Sequence, residues 1–246
     1  MLSKQELFNY TGISSIHIFE SISSTNNYAK TIKAYPAIVA ANKQTEGRGR
    51  YGKSFYSPEN GIYFSVALKN DFGRDILYIT PTAAVAVCMS IKKLSGTAPK
   101  IKWVNDIYIN NRKVSGILTE STGPSIIIGI GINFYGQNNT LPSHIRDKAG
   151  FLFESKPGFD RNLMISEIFN TLYNYLNERN FQLYMQIYKE LSLAINKKIK
   201  FSLNGGVFNA TVKDIADDGA IILEIGGSIE KYYSGEISII LPEGVL

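Results

Sequence analysis

The run Gly47-Arg48-Gly49-Arg50-Tyr51-Gly52-Lys53-Ser54 constrains this chain more than any other stretch, because it satisfies two nucleotide-loop patterns at once. Gly47, Gly49 and Gly52 fit G-x-G-x-x-G, while Gly47, Gly52, Lys53 and Ser54 fit G-x-x-x-x-G-K-[ST]. Each pattern works only between a strand and a helix, whose N-terminal N–H groups hold the phosphates. The apolar run 37–41 supplies the strand. No helix follows: the turn cluster Ser57-Pro58-Glu59-Asn60-Gly61 leads into 61–68, which reads as a second strand. The expectation is therefore a glycine loop between two strands, carrying Arg48, Arg50 and Lys53. Such cations suit an anionic ligand that the loop closes over, with arginine forks for carboxylate or phosphate. A solvated basic loop is the plain alternative, and the loop alone does not separate the two.

At 246 residues the chain can build one sizeable core and a small appendage. With 44% hydrophobic and 19% charged residues it reads as an ordinary globular protein. No apolar run approaches membrane-spanning length, and the first residues lack a signal-peptide core, so a cytoplasmic location is expected. The single Cys88 cannot form an internal disulfide and reads as a buried structural thiol. His17 and His144 lie far apart without ligand-spaced companions, which argues against a zinc site. The charge of +5 would permit nucleic-acid binding, but the basic residues are dispersed. The densest cluster, Lys197-Lys198-Ile199-Lys200, reads as a solvated strand edge, and no DNA partner is expected.

Along the chain, a short helical or irregular lead-in precedes a strand at 16–20. Ser24, Thr25 and Asn26 then offer caps for a helix of about ten residues. The same three residues also make a polar strand-to-helix turn that can face a ligand. Thr80-Pro81 reads as the cap and first position of an apolar helix that Gly96 stops. Residues 101–109 and 113–120 form a hairpin around Asn110-Asn111. In the strand 125–133, Gly129 and Gly131 share one face and leave room for a ligand. Residues 135–157 read as loop with a short strand at 150–153. Two helices follow, the first capped by Asp160. Five short strands from about residue 196 suggest a small β-barrel, with the boundary near 195.

The expected architecture is thus α+β: a mixed sheet with packed helices over residues 1–195, then a small barrel over 196–246. Its polar inventory holds no Ser/His/Asp set, no paired carboxylates and no metal cluster. It suits positioning and charge stabilisation of phosphates and carboxylates.

Five motifs in order carry a specific resemblance. They are Ser24-Thr25-Asn26; Gly47-Arg48-Gly49-Arg50-x-Gly52; Lys102-Trp103-x-Asn105-Asp106; Lys113-x-x-Gly116-Ile117-Leu118-x-Glu120; and Gly129-x-Gly131-Ile132-Asn133. The series resembles biotin protein ligase, or biotin–[acetyl-CoA-carboxylase] ligase, most strongly over residues 16–135, and the tail is similar to that family's SH3-like C-terminal domain. The resemblance implies that biotin and ATP, with Mg²⁺, form biotinyl-5′-adenylate, whose acyl group passes to a lysine of the biotin carboxyl carrier protein. It implies that Ser24, Thr25, Asn26 and Gln44 bind the ureido ring, and that Arg48, Gly49 and Arg50 close over biotin and phosphate. Lys113 would contact the biotin carboxylate and the α-phosphate. Gly116 and Gly131 would form the floor, Asn133 would lie near the nucleotide, and Asn105 would sit at the ATP end. Asp106 would help deprotonate the acceptor lysine.

Val104, Phe55 and Lys53 depart from the family's common proline, tryptophan and arginine. The first motif begins by residue 24, leaving no room here for the N-terminal helix-turn-helix of some members, so a ligase without repressor function is expected. A homodimer is compatible with the resemblance, though no residue supports it. The rivals are lipoate–protein ligase, whose usual Arg-Arg-x-x-Gly-Gly-Gly signature is absent; a biotin-sensing nucleic-acid binder; and a P-loop NTPase, which needs a helix after Ser54.

Overall fold

The computed structural model describes residues 1–240. Helix α1 (Lys4–Thr11) precedes strand β1 (Ser15–Ile22), helix α2 (Thr25–Ala29) and strands β2 (Ala37–Gln44) and β3 (Ile62–Lys69). Helix α3 (Ile79–Ser95) leads to β4 (Lys100–Lys102), β5 (Asp106–Ile109), β6 (Arg112–Ser121) and β7 (Ser125–Ile132). Helices α4 (Ser143–Arg146), α5 (Arg161–Glu178) and α6 (Phe181–Leu191) come next, then β8 (Lys198–Leu203), β9 (Gly206–Ile215), β10 (Ile221–Ile225), β11 (Ser228–Tyr232) and β12 (Glu236–Ile239). The last expected strand ran to Leu241, which lies outside the described residues.

Seven strands form one mixed sheet in the order β1-β2-β3-β7-β6-β5-β4, with only β1 and β2 parallel. The other five form an antiparallel sheet in the order β11-β10-β9-β8-β12. The period-two alternation of strands sorts the residues of the larger sheet onto two faces. Ile126, Ile128, Ile130 and Ile132 of β7 join Phe64, Val66 and Ile38 in the main core beneath α3 and α5. The opposite face carries Val39, Ala67 and Ile127, packed under α2 with Phe19 and Tyr28, and beside them the bare positions Gly129 and Gly131. One face is therefore filled by helices, and the other is only partly covered.

Several local expectations change. Helix α2 has five residues, not ten, and closes in tight turns from Thr31 and Ile32 back to Tyr28 and Ala29. Thr80 is not a cap: α3 already begins at Ile79, continuing a 3-10 turn at Gly73–Tyr78, and the Thr80 hydroxyl bonds Thr119 instead. The stop at Gly96 is observed, with φ of 70°. The stretch 101–109 is two strands, because residues 103–105 turn between β4 and β5. Asn110 and Asn111 both have positive φ (49° and 61°), the geometry of a tight two-residue hairpin. The region 135–157 contains the short helix α4, and its expected strand at 150–153 is reduced to one isolated bridge, Phe153 with Tyr135. Lys198 and Lys200 are solvated as expected, but β8 is interior to its sheet, so they project from a face rather than an edge. Asp160 does cap α5 through Leu163 N. Cys88 is buried in α3, and burial pushes its thiol far up from the usual range. Among the described residues one helical stretch, Gly73–Ser95, is long and apolar enough to cross a membrane, and it is mostly buried.

Candidate active site

A cavity of about 330 Å³ opens on the uncovered face of the larger sheet. Its floor follows from the strand register. Lys102, Asp106, Gly116 and Gly131 are successive Cα partners across β4, β5, β6 and β7, so they form a row on one face. The middle of that row is glycine, and the ring of Phe55 lies over it. A Cβ at Gly131 would meet Phe55 at 2.6 Å and one at Gly116 at 3.2 Å.

One end of the cavity is a neutral hydrogen-bonding nest. Ser24 caps α2 through Asn27 N, which presents Thr25 and Asn26 to the sheet. Thr25 donates from its N–H (2.9 Å) and its hydroxyl (3.1 Å) to Gln44 Oε1. Gln44 Nε2 donates to Ser57 Oγ at 3.2 Å, which ties β2 to the far side of the glycine loop. The buried Ser65 hydroxyl lies 2.6 Å from Asn26 Oδ1 and 2.8 Å from Thr25 Oγ1. Asn26 Nδ2 donates to Glu120 Oε2 (2.8 Å) and Leu118 O (3.2 Å). Lys30 in turn pairs with Glu120 at 2.6 Å. Burial would raise the Glu120 pKa, but the bonds from Lys30 and Asn26 outweigh it and hold the carboxyl below its usual value.

The other end is cationic. Lys113 pairs with Asp106 at 2.7 Å and lies 5.8 Å from the Phe55 ring centroid. A β-bulge puts it there: Ile107 pairs with Ser115 but Tyr108 pairs with Lys113, so Val114 drops into the core and Lys113 takes the cavity face. Asn105 is fixed by bonds to both polar groups of the Ile117 backbone (2.7 and 3.0 Å), and its Oδ1 accepts from Arg50 at 3.4 Å. Arg50 also lies over Tyr51 at 4.9 Å and donates to its hydroxyl. The glycine loop itself is closed by Gly49 N to Lys53 O (2.7 Å) and Phe55 N to Gly47 O (2.8 Å). It docks on the smaller sheet through Lys53–Glu236 (2.6 Å) and Gly235 N to Tyr51 O–H (2.9 Å). No helix follows Ser54; the next element is β3, so the P-loop requirement is unmet.

Six basic side chains (Arg48, Arg50, Lys53, Lys102, Lys113, Lys148) and two carboxylates (Asp106, Glu236) line the cavity. The excess of positive charge suits a ligand with several negative charges. A neutral nest, a bare floor and a cationic end together fit an elongated ligand with a polar uncharged head and an anionic tail.

The family models match the chain in two blocks. Residues 18–134 match the biotin/lipoate A/B protein ligase family, and residues 194–239 match the biotin protein ligase C-terminal domain. The chain belongs to this ligase family. It is 34% identical over 213 residues to the bifunctional ligase/repressor BirA of Bacillus subtilis, covering 82% of this chain and 66% of that protein. It is 26% identical to the biotin–[acetyl-CoA-carboxylase] ligase of Mycobacterium tuberculosis, covering 81% and 77% of the two chains. The biotin protein ligase of Aquifex aeolicus in complex with biotin and ATP superposes with a TM-score of 0.82 at 25% identity, covering 93% of this chain and 99% of that one. The chain spans 66% of the length of the Bacillus protein.

Within this ligase fold, twelve of the thirteen site residues expected from sequence line the cavity: Ser24, Thr25, Asn26, Gln44, Arg48, Gly49, Arg50, Asn105, Asp106, Lys113, Gly116 and Gly131. Asn133 is not among the lining residues. It is buried, and its Nδ2 donates to Gly150 O (2.9 Å) and Lys113 O (3.4 Å), which pins the 149–153 segment beside the strand carrying Lys113. Sequence reasoning gave no role to Ser65, which stands in a plain apolar strand, nor to Lys148 and Glu236–Ser238, which arrive from distant segments. No motif spacing links such segments to the loop.

Proposed function

We propose that this chain is an ATP-dependent biotin–protein ligase. It activates biotin as biotinyl-5′-adenylate and transfers the acyl group to a lysine of the biotin carboxyl carrier protein of a carboxylase. The observation that carries this reading is the polarity of the cavity: a neutral donor–acceptor nest at Thr25, Asn26 and Gln44, backed by the buried Ser65, a glycine floor, and cations at the far end. A cyclic urea offers two N–H donors and a carbonyl acceptor without charge, which suits the nest. A carboxylate at the end of a short chain reaches Lys113.

In this reading Ser24, Thr25, Asn26 and Gln44 hold the ring, and the preset bonds among them lower the ordering cost of binding. Lys113 leaves Asp106 to bind the carboxylate and α-phosphate oxygens, offsetting the repulsion between two anions. Arg48, Gly49 and Arg50 close over the adenylate, and excluding water protects the mixed anhydride. Asn105 and Asp106 face the nucleotide end. Asp106, once freed from Lys113, accepts the proton of the acceptor lysine. Asn133 acts by fixing the strand that carries Lys113. Mg²⁺ enters with ATP: among the described residues no three His, Cys, Asp or Glu side chains converge on an ion, so phosphate oxygens and water are its natural ligands. We assign catalysis to residues 1–195 and an SH3-like domain to 196–246, and place the enzyme in the cytoplasm.

ATP–pyrophosphate exchange with biotin, lipoate or no acid tests the reading. Exchange with biotin alone is expected. Exchange driven by lipoate, or none despite biotin binding, overturns it.

A further inference from the structure

The side-chain amide of Asn26 is oriented from behind the cavity. Its Nδ2 donates to Glu120 Oε2 at 2.8 Å and to Leu118 O at 3.2 Å, which uses both amide protons. Turned over, the amide would aim Oδ1 at that carboxylate and that carbonyl, acceptors facing acceptors with no proton between them. Ser65 does not decide the orientation, because a hydroxyl accepts as readily as it donates. Glu120 is held in turn by Lys30 at 2.6 Å. Burial works against its charge, but the bonds from Lys30 and Asn26 keep its pKa low, so near neutral pH it only accepts. Asn26 Oδ1 therefore points over Gly129 on the cavity floor, where an added Cβ would come within 2.0 Å of it.

The other protons of the nest are engaged as well. Ser65 Oγ donates to Asn26 Oδ1 at 2.6 Å, and the Thr25 hydroxyl donates to Gln44 Oε1 at 3.1 Å. Toward a ligand, the Asn26 and Thr25 side chains thus offer lone pairs only, and both residues line the cavity. An incoming ring must bring two N–H donors, as the cyclic urea of the ligase reading does, and the inference rests on that reading. A ring with oxygen or sulfur in either place would set lone pair against lone pair.

We propose that Glu120 is a specificity-determining positioning residue: by holding the Asn26 amide with its oxygen toward the cavity, it makes the nest select rings that carry N–H donors. Glu120 is not among the lining residues and acts through Asn26. Its control extends to one of the two acceptors, since Thr25 is oriented by Gln44. Without the carboxylate only the longer bond to Leu118 O opposes rotation, and the amide can present either its oxygen or its N–H to the ring.

Two biotin analogues, each with one ring N–H replaced by an oxygen atom, test this against biotin in calorimetric titrations. The variants are Glu120→Met, which keeps the bulk and removes the acceptor, and Glu120→Ala should the first fold poorly. The wild-type protein should bind each analogue about 10- to 100-fold more weakly than biotin. In the Glu120 variants one of these penalties should largely vanish, because the Asn26 amide turns and donates to the ring oxygen, while the penalty on the Thr25 side persists. Biotin itself should bind about tenfold more weakly, having lost a fixed acceptor. A merely structural role would weaken biotin and both analogues together and leave the ratios unchanged. Unchanged ratios, both penalties falling together, or a wild type that binds either analogue as well as biotin overturns the proposal. A wild-type protein that binds no biotin would instead overturn the ligase reading itself.

Discussion

Gly129 and Gly131 stand two residues apart on one face of β7, yet replacing each with alanine should give different signatures. Neither has positive φ, so backbone strain drops out and the added methyl group is the whole perturbation. At Gly129 the new Cβ would sit 2.0 Å from Asn26 Oδ1. Asn26 cannot step aside, because Ser65, Leu118 and Glu120 hold its amide. Breaking these buried bonds costs about 2–4 kcal/mol. For a chain of this size that is a fall in Tm of about 4–16 °C. At Gly131 the new Cβ would meet Phe55 at 2.6 Å, but Phe55 sits at the end of the glycine loop and can swing away. Its stability loss should stay under about 1 kcal/mol. The floor is nevertheless raised by one methyl group, and biotin should bind about tenfold more weakly or worse. Thermal melts and calorimetric biotin titrations of the two variants decide it. Equal Tm losses, or a Gly131→Ala protein that binds biotin as the wild type does, would refute the distinction between a tethered and a yielding neighbour.

Lys113→Ala should cost adenylate formation more than biotin affinity, because its charge matters most as two anions join; equal losses in exchange rate and in Kd would contradict this. Residues 47–55 should gain hydrogen-exchange protection with biotinyl-adenylate bound, and equal protection with and without ligand would count against closure. Glu120 gives a pH signature: its folded pKa is depressed by Lys30 and Asn26 despite burial, so its contribution is present above the unfolded value near 4.5 and lost as pH falls through the lower folded value. The stability gap between wild type and Glu120→Gln, followed by denaturant melts from pH 6 to pH 3, should narrow on acidification; a constant gap would remove Glu120 from the nest's electrostatics.

Much of the site was legible in sequence because its motifs encode local backbone needs. The turn cluster after Phe55 excluded a P-loop helix, and Gly129 and Gly131 at strand spacing announced a bare face. The five-strand tail showed in its turn spacing. Boundaries were less legible where tertiary contacts override local signals. Thr80-Pro81 has the form of a helix start, yet α3 begins one residue earlier, because the preceding 3-10 turn already aims the chain and Thr119 takes the hydroxyl. The basic 197–200 cluster lies inside a sheet since β12 pairs with β8 from about forty residues downstream.

The sequence by itself determined the strand–loop–strand frame, the polar turn at Ser24-Thr25-Asn26 and the family, since each depends on residues adjacent along the chain. Only the tertiary structure decided which side chains reach the cavity. By strict alternation Val114 would share the face of Gly116 and Lys113 would not, and the bulge reverses that assignment. Asn133, which the resemblance put near the nucleotide, lies outside the cavity lining with its Nδ2 on Gly150 O. Among the described residues Lys102 makes no ion pair, while Lys53 finds Glu236 on the second sheet. Pattern in a chain specifies local geometry, but a bulge's register and a charge's partner are set by strands that meet only in the folded state.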